Sequence, residues 1–218
     1  MTKEEILYEL AEAVHNLDVQ GIPQRVQMAL DAGLEPSEIL AKGLSAGMRI
    51  VGEEFKTGQK FMPEVLVACD AYYAGLDVVK PLIESSGERE YVATMVLGTI
   101  HGDIHTVGKD VAIPVFEANG INVIDLGVSV PDERFVEAIR LYEPQLVGLG
   151  TYMTSTFMHT AETVRVIRSA GLRDRVKIIC GGPAVDPKAA QRMGADDASD
   201  DAWEAVEKIY ALIGAARP

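Results

Sequence analysis

Two hydrophobic periods divide this chain. Up to about residue 88 the apolar positions return every three to four residues, the period of an amphipathic helix, with no convincing strand. Ile6, Leu7, Leu10, Ala11 and Val14 form the first stripe, and Thr2 with Glu5 ahead of it has capping-box spacing. Asp18 is placed to cap a second helix through Ile22, Val26, Met28 and Leu30, ending near Gly33. Pro36 suits the first turn of a third, carrying Ile39, Leu40, Leu44, Met48 and Val51. Pro63 starts a fourth through Val65, Leu66, Ala68 and Tyr72 to about Ile83. Four antiparallel helices with short connections make a bundle. The polar segment 85–90 reads as a linker.

Beyond it, short apolar runs alternate with helical stretches. The pattern predicts strands over 92–97, 122–126, 146–150, 176–180 and 196–198. Helices are predicted over 105–119, 132–141, 156–170, 187–193 and 201–213. Such alternation means βαβ units and a parallel sheet. The expected fold is α/β: an N-terminal four-helix bundle over 1–88, then a five-stranded parallel, doubly wound domain of Rossmann or flavodoxin type over 89–218.

Composition narrows the function classes. A formal net charge of −13 over 218 residues argues against nucleic-acid binding, which needs a basic face. Cys69 and Cys180 lie far apart in apolar contexts and read as buried thiols. No apolar run approaches the roughly 20 residues of a membrane span, and the start of the chain has no signal-peptide core. A cytoplasmic protein with no membrane partner is expected.

The chemistry concentrates in Gly98-Thr99-Ile100-His101-Gly102-Asp103-Ile104-His105-Thr106-Val107-Gly108, between the first strand of the second half and its helix. Strand-to-helix loops are where open α/β sheets keep their ligands. An aspartate two residues before a histidine can accept the second ring N–H of a metal-bound imidazole. In isolation the pair reads first as a helix N-cap beside a loop histidine. The loops after the third and fourth strands carry Gly150-Thr151-Tyr152-Met153-Thr154-Ser155-Thr156 and Gly181-Gly182-Pro183. A nucleotide site competes, since Gly-Gly at such a turn accepts phosphate. The G-x-G-x-x-G order and the Walker lysine are both missing, however. A crevice, a histidine and a carboxylate behind it point to a metal-centred cofactor.

These elements resemble the signature of the corrinoid proteins and of the cobalamin-binding domain of methionine synthases: Asp-x-His-x-x-Gly, then Ser-x-Leu, then Gly-Gly. Asp103 to Gly108 is followed by 41 residues (109–149), then Gly150-Thr151-Tyr152, then 28 residues (153–180), then Gly181-Gly182. The run Gly47-Met48, Val51-Gly52, Phe55, Gly58 and Phe61-Met62-Pro63-Glu64 is similar to that family's helical cap. The resemblance implies cobalamin (methylcobalamin or another corrinoid) and its cobalt as cofactor. His105 would be the lower axial ligand, with Asp103 its hydrogen-bond partner and Thr156 completing the relay. The cofactor's own base would leave cobalt and lodge in the crevice. Gly108, Gly181 and Gly182 would make room for it, Thr154 would contact it, and Gly102, Ile104, Thr106, Gly150, Thr151 and Tyr152 would line the site. Phe55 and Met62 would cover the upper face of the corrin. One departure stands out: Gly150 and Tyr152 replace the family's serine and leucine.

The implied activity is that of a non-autonomous subunit. It would carry a methyl group from a substrate-specific methyltransferase to a corrinoid:acceptor methyltransferase acting on tetrahydrofolate or a thiol, and a reductive activase would be a third partner. The alternatives are a cobalamin-responsive regulator and the B12-binding subunit of a mutase. Related regulators commonly add a basic DNA-binding module, and related mutase subunits normally lack a helical cap.

Overall fold

In a computed structural model of the chain, residues 1–86 and 91–216 are described. Two compact units are found, Met1–Glu90 and Tyr91–Pro218. Residues 87–90 of the expected linker lie outside the described residues. No described helix is long and apolar enough to cross a membrane.

The first unit is helical: α1 (Lys3–His15), α2 (Ile22–Asp31), α3 (Pro36–Glu38), α4 (Ser45–Lys56) and α5 (Met62–Ser86). A π-helical turn, Ile39–Leu44, joins α3 to α4. The capping box forms: Glu5 N–H donates to the Thr2 hydroxyl, and Thr2 N–H donates to the Glu5 carboxylate. The apolar stripes meet in a core that includes Leu10, Val14, Ile22, Val26, Leu44, Val65 and Tyr72. Gly47 sets how closely α1 and α4 approach. A Cβ there would lie 2.6 Å from the Ala11 carbonyl oxygen and 2.6 Å from Val14 Cβ. The expected cap of α2 is corrected: its N-cap is Gly21. Asp18 sits one turn too early, and its carboxylate accepts the Gly21 N–H at 2.9 Å instead, closing the turn before the helix.

The second unit alternates strands and helices: β1 (Ala93–Thr99), α6 (Val107–Ala118), β2 (Ile121–Asp125), α7 (Asp132–Tyr142), β3 (Leu146–Gly150) and α8 (Phe157–Ser169). It continues as β4 (Lys177–Gly181), α9 (Pro187–Met193), β5 (Asp197–Ser199) and α10 (Ala202–Ile213). All strands pair in parallel, in the order β2-β1-β3-β4-β5. This is the doubly wound order of flavodoxin-like sheets. The two central strands β1 and β3 are buried almost throughout, as continuous apolar runs in covered parallel sheets must be. Phe135 and Ile139 of α7 and Val164 and Ile167 of α8 pack with Val96, Val147, Leu149 and Ile178 in one core. α6 and α10 pack together elsewhere on the sheet, where the Tyr210 hydroxyl donates to the Asn119 carbonyl at 2.6 Å. Register places Thr99 beside Gly150, and Gly150 beside Gly181. Three neighbouring strands therefore end level, and their loops leave the sheet along one edge.

Candidate functional site

The loop after β1 is tied down at both ends. It turns at Gly102, whose φ of +80° suits a residue without Cβ. Gly102 N–H donates to the Ser129 hydroxyl at 3.0 Å, and Ser129 N–H donates to the Asp103 carbonyl at 2.9 Å. The Thr99 hydroxyl donates to the His105 carbonyl at 3.2 Å.

Within that frame Asp103 is fully buried. A buried charge is tolerated only when its lone pairs are used, and here five donors use them. Oδ1 accepts from His105 N–H at 3.1 Å and from the His105 imidazole Nδ1 at 2.8 Å. Oδ2 accepts from Tyr152 N–H at 2.8 Å, Met153 N–H at 3.1 Å and the Thr156 hydroxyl at 3.2 Å. Burial pushes the carboxyl pKa up. The donors on Tyr152, His105 and Thr156 outweigh it and hold the group below its ordinary value. A carboxylate has no proton to give, so the Nδ1 contact places the proton on the imidazole. In the neutral ring Nε2 then carries the free lone pair, on a side chain that is 52% exposed. Among the described residues no group of three or more His, Cys, Asp or Glu side chains could hold a metal. A metal bound at His105 would therefore need ligands from outside these side chains. The N-cap alternative for Asp103 is set aside: the N-cap position of α6 is Thr106, whose side chain makes no capping bond, and the Asp103 carboxylate is spent on His105 and the β3 loop.

A slot lies beside this pair. A Cβ on Gly108 would come within 2.4 Å of the Tyr152 ring, one on Gly182 within 2.9 Å and one on Gly150 within 3.0 Å. Three glycines on three chain segments thus face one aromatic ring, which is tilted 39° to the His105 ring at a centroid distance of 5.9 Å. Burial raises the Tyr152 phenol to about 12. Gly181 takes no part, since a Cβ there would meet nothing within 4 Å. Thr151 turns inward: its hydroxyl pairs with that of Thr160 at 2.9 Å in the interior, and its N–H donates to the Gly181 carbonyl. That hydroxyl is committed to the core. Ile104, Thr106 and Thr154 are exposed. In the helical unit, Phe55 is half-buried near the end of α4, and Met62 is exposed at the start of α5. Sequence reasoning missed Thr99, Ser129, Thr160 and the Met153 N–H. Only Thr99, a hydroxyl at the end of the first strand, left a signal in the pattern.

Two family models, each described as a B12 binding domain, match residues 93–207 and 6–80. A trimethylamine corrinoid protein of Methanosarcina acetivorans is 37% identical over 97% of this chain and 99% of its own. A crystal structure of a cobalamin-binding protein from Desulfitobacterium hafniense is similar with a TM-score of 0.75 and 32% identity, covering 94% of this chain and 98% of that one. The methanol:cobalamin methyltransferase complex MtaBC of Methanosarcina barkeri contains a chain similar with a TM-score of 0.85 and 27% identity, covering 100% of this chain and 83% of that one.

Proposed function

The chain belongs to the B12-binding family of corrinoid proteins, and from that premise we propose that it is the methyl carrier of a methylamine methyltransferase system. The methylamine assignment is supported by the near full-length match to a trimethylamine corrinoid protein. The observation that carries the site is the free Nε2 of a half-exposed imidazole whose other nitrogen is fixed by a buried carboxylate. The glycine walls beside it close around one flat aromatic ring, that of Tyr152.

A bound corrinoid supplies the chemistry, a cobalt centre able to accept and release a methyl group. The protein's share is ligation, orientation and proton control. His105 would hold the cobalt of a bound corrinoid through Nε2. Asp103 holds the tautomer that leaves Nε2 free and fixes the orientation of the ring. Thr156 and the N–H groups of Tyr152 and Met153 keep that carboxylate ionised. Gly102, Ile104, Thr106, Thr154 and Gly182 lie in the surrounding loops, Gly108 is in the first turn of α6 and Gly150 ends β3, and Thr151 is tied to Gly181 by a backbone hydrogen bond. The helical unit, 1–88, would shield a bound corrin through Phe55 and Met62. It would move aside for a methylamine-specific methyltransferase and then for the acceptor methyltransferase, with an activase restoring the reduced state.

The test is reconstitution with a cobalamin, followed by electron paramagnetic resonance of the Co(II) form. Protein carrying 15N-labelled histidine should change the nitrogen splitting from three lines to two, and His105→Ala should abolish that coupling. A splitting unaffected by the label rejects His105 as the ligand.

A further inference from the structure

We infer that Tyr152 governs how the tail of the corrinoid is accepted: its ring occupies the slot that the cofactor's displaced aromatic base must enter, and it has to swing out before that base can bind. The inference rests on the corrinoid reading above and goes beyond it by naming a specificity-determining residue.

The chemistry requires a place for the base. A complete corrinoid carries a nucleotide whose planar heteroaromatic base occupies the lower position on cobalt. If His105 takes that position, the base is released next to His105 and needs a flat, desolvated berth. The slot beside His105 has that shape. Its walls are Gly108, Gly150 and Gly182, and a ring already lies against all three. The walls are fixed: at Gly182 an added Cβ would strike the Thr151 carbonyl oxygen at 2.6 Å, and φ is +102°. Gly150 is held in register between Thr99 and Gly181.

The occupant, by contrast, is movable. Among the described residues the Tyr152 hydroxyl makes no hydrogen bond, so only packing holds the ring. Its backbone N–H is anchored to Asp103 at 2.8 Å. The side chain can therefore rotate about its Cα–Cβ bond without loosening the carboxylate that orients His105. The ring and the base compete for one space, and a corrinoid without a base has no such competitor.

The experiment compares cobalamin with cobinamide, which lacks the nucleotide and its base. Dissociation constants are measured by equilibrium dialysis for the wild type and for Tyr152→Phe, Tyr152→Leu and Tyr152→Ala. Binding to a site open only part of the time is weakened by the open fraction. A ring that fills the slot nine times in ten costs cobalamin about tenfold, and removing it restores that factor. Tyr152→Leu and Tyr152→Ala should therefore tighten cobalamin about tenfold and leave cobinamide unchanged, while Tyr152→Phe should behave as wild type. Cobinamide affinity is also the control for folding. A second readout uses 3-fluorotyrosine: the Tyr152 19F resonance, assigned with Tyr152→Phe, should move to its solvent-exposed position with cobalamin and stay put with cobinamide. Equal effects on both corrinoids, or a 19F signal that never moves, overturn the inference while leaving the corrinoid reading intact. Failure of the wild type to bind either corrinoid overturns both.

Discussion

Asp103→Asn is the sharpest perturbation of this site, because it keeps the shape and removes only the charge and one acceptor. In the wild type Oδ1 faces two donors on His105, and Oδ2 faces Tyr152 N–H, Met153 N–H and the Thr156 hydroxyl. An amide has one acceptor oxygen and one donor group. With its NH2 toward the β3 loop, it would face two backbone N–H groups that cannot turn away. With its NH2 toward His105, it faces one backbone N–H and a ring nitrogen. The ring nitrogen can adapt by giving up its proton. The second orientation wins, leaving the His105 N–H without an acceptor and turning charge-assisted bonds into neutral ones. A buried unsatisfied donor costs about 1–3 kcal/mol, and bonds to a charged group are worth about 1.5–3 kcal/mol against about 1 for neutral ones. The expected destabilisation is about 3 kcal/mol, a substantial part of a typical domain's roughly 5–15 kcal/mol. Trp203 is the chain's one tryptophan and is buried in the α/β unit, so its fluorescence follows urea unfolding of that unit. The same change moves the imidazole proton from Nδ1 to Nε2, which long-range 1H–15N correlation reads directly, and it removes the lone pair a metal would use. The carboxyl is depressed in the folded state. The wild type's advantage is therefore full above the ordinary carboxylate range and is lost as pH falls through the folded pKa. A destabilisation below about 0.5 kcal/mol, or a variant that keeps its proton on Nδ1, refutes the reasoning.

Thr156→Val removes a hydroxyl shared between Asp103 Oδ2 and the Met153 carbonyl. It should cost about 1.5–3 kcal/mol, the range for a bond to a charged group, in the same unfolding assay, with the His105 proton still on Nδ1. Gly47→Ala drives a methyl group against the Ala11 carbonyl. The overpacking, about 1–3 kcal/mol, outweighs the helix-propensity gain of about 1 kcal/mol, so helical circular dichroism should melt earlier. An unchanged midpoint contradicts the close approach of α1 and α4. Burial raises the thiols of Cys69 and Cys180 to about 12, so a disulfide reagent at pH 8 should label neither until the protein is denatured. Because the unfolded thiols ionise first, these two groups also make the fold less stable as pH rises above the ordinary thiol value.

Much of this architecture is legible in the hydrophobic pattern, and the misplacements have physical causes. The strands over 146–150 and the helix over 187–193 coincide with β3 and α9, whose apolar runs are bounded by local turn signals. The first strand of the sheet, expected to stop at 97, runs on to Thr99 because pairing with β3 extends it. The helix expected from 105 begins at Val107. Its first residues are held out of the helix by bonds from 99 and 105 to one another and from 103 to 129, 152, 153 and 156, which no local period encodes. The π-helical turn at Ile39–Leu44 left no mark in the spacing either. The Asp103–His105 site is legible for a topological reason. β1 and β3 are neighbours with β2 outside them, so the 109–149 stretch is the obligatory crossover between their two loops. The ring of Tyr152 in its slot is not legible, since it depends on glycines from three separate chain segments converging.

The order of cause at this site runs from folding to ligation. A buried carboxylate is costly unless donors surround it, and two of its five donors are backbone N–H groups of the loop after β3. Those donors reach Asp103 only when Thr99 and Gly150 are in register. Part of the free energy that keeps Asp103 ionised is thus the pairing energy of β1 with β3. Asp103 in turn fixes the imidazole through a 2.8 Å bond to Nδ1 and a 3.1 Å bond from the backbone of the same residue. This double attachment leaves the exposed edge of the ring with one presentation, so a ligand approaching Nε2 need not supply the energy of orienting it. Preorganisation of this kind converts folding stability into binding affinity. It follows that loosening β1 against β3, even at positions remote from His105, should weaken ligation and stability together. A change on α10 that leaves that pairing intact should affect stability alone.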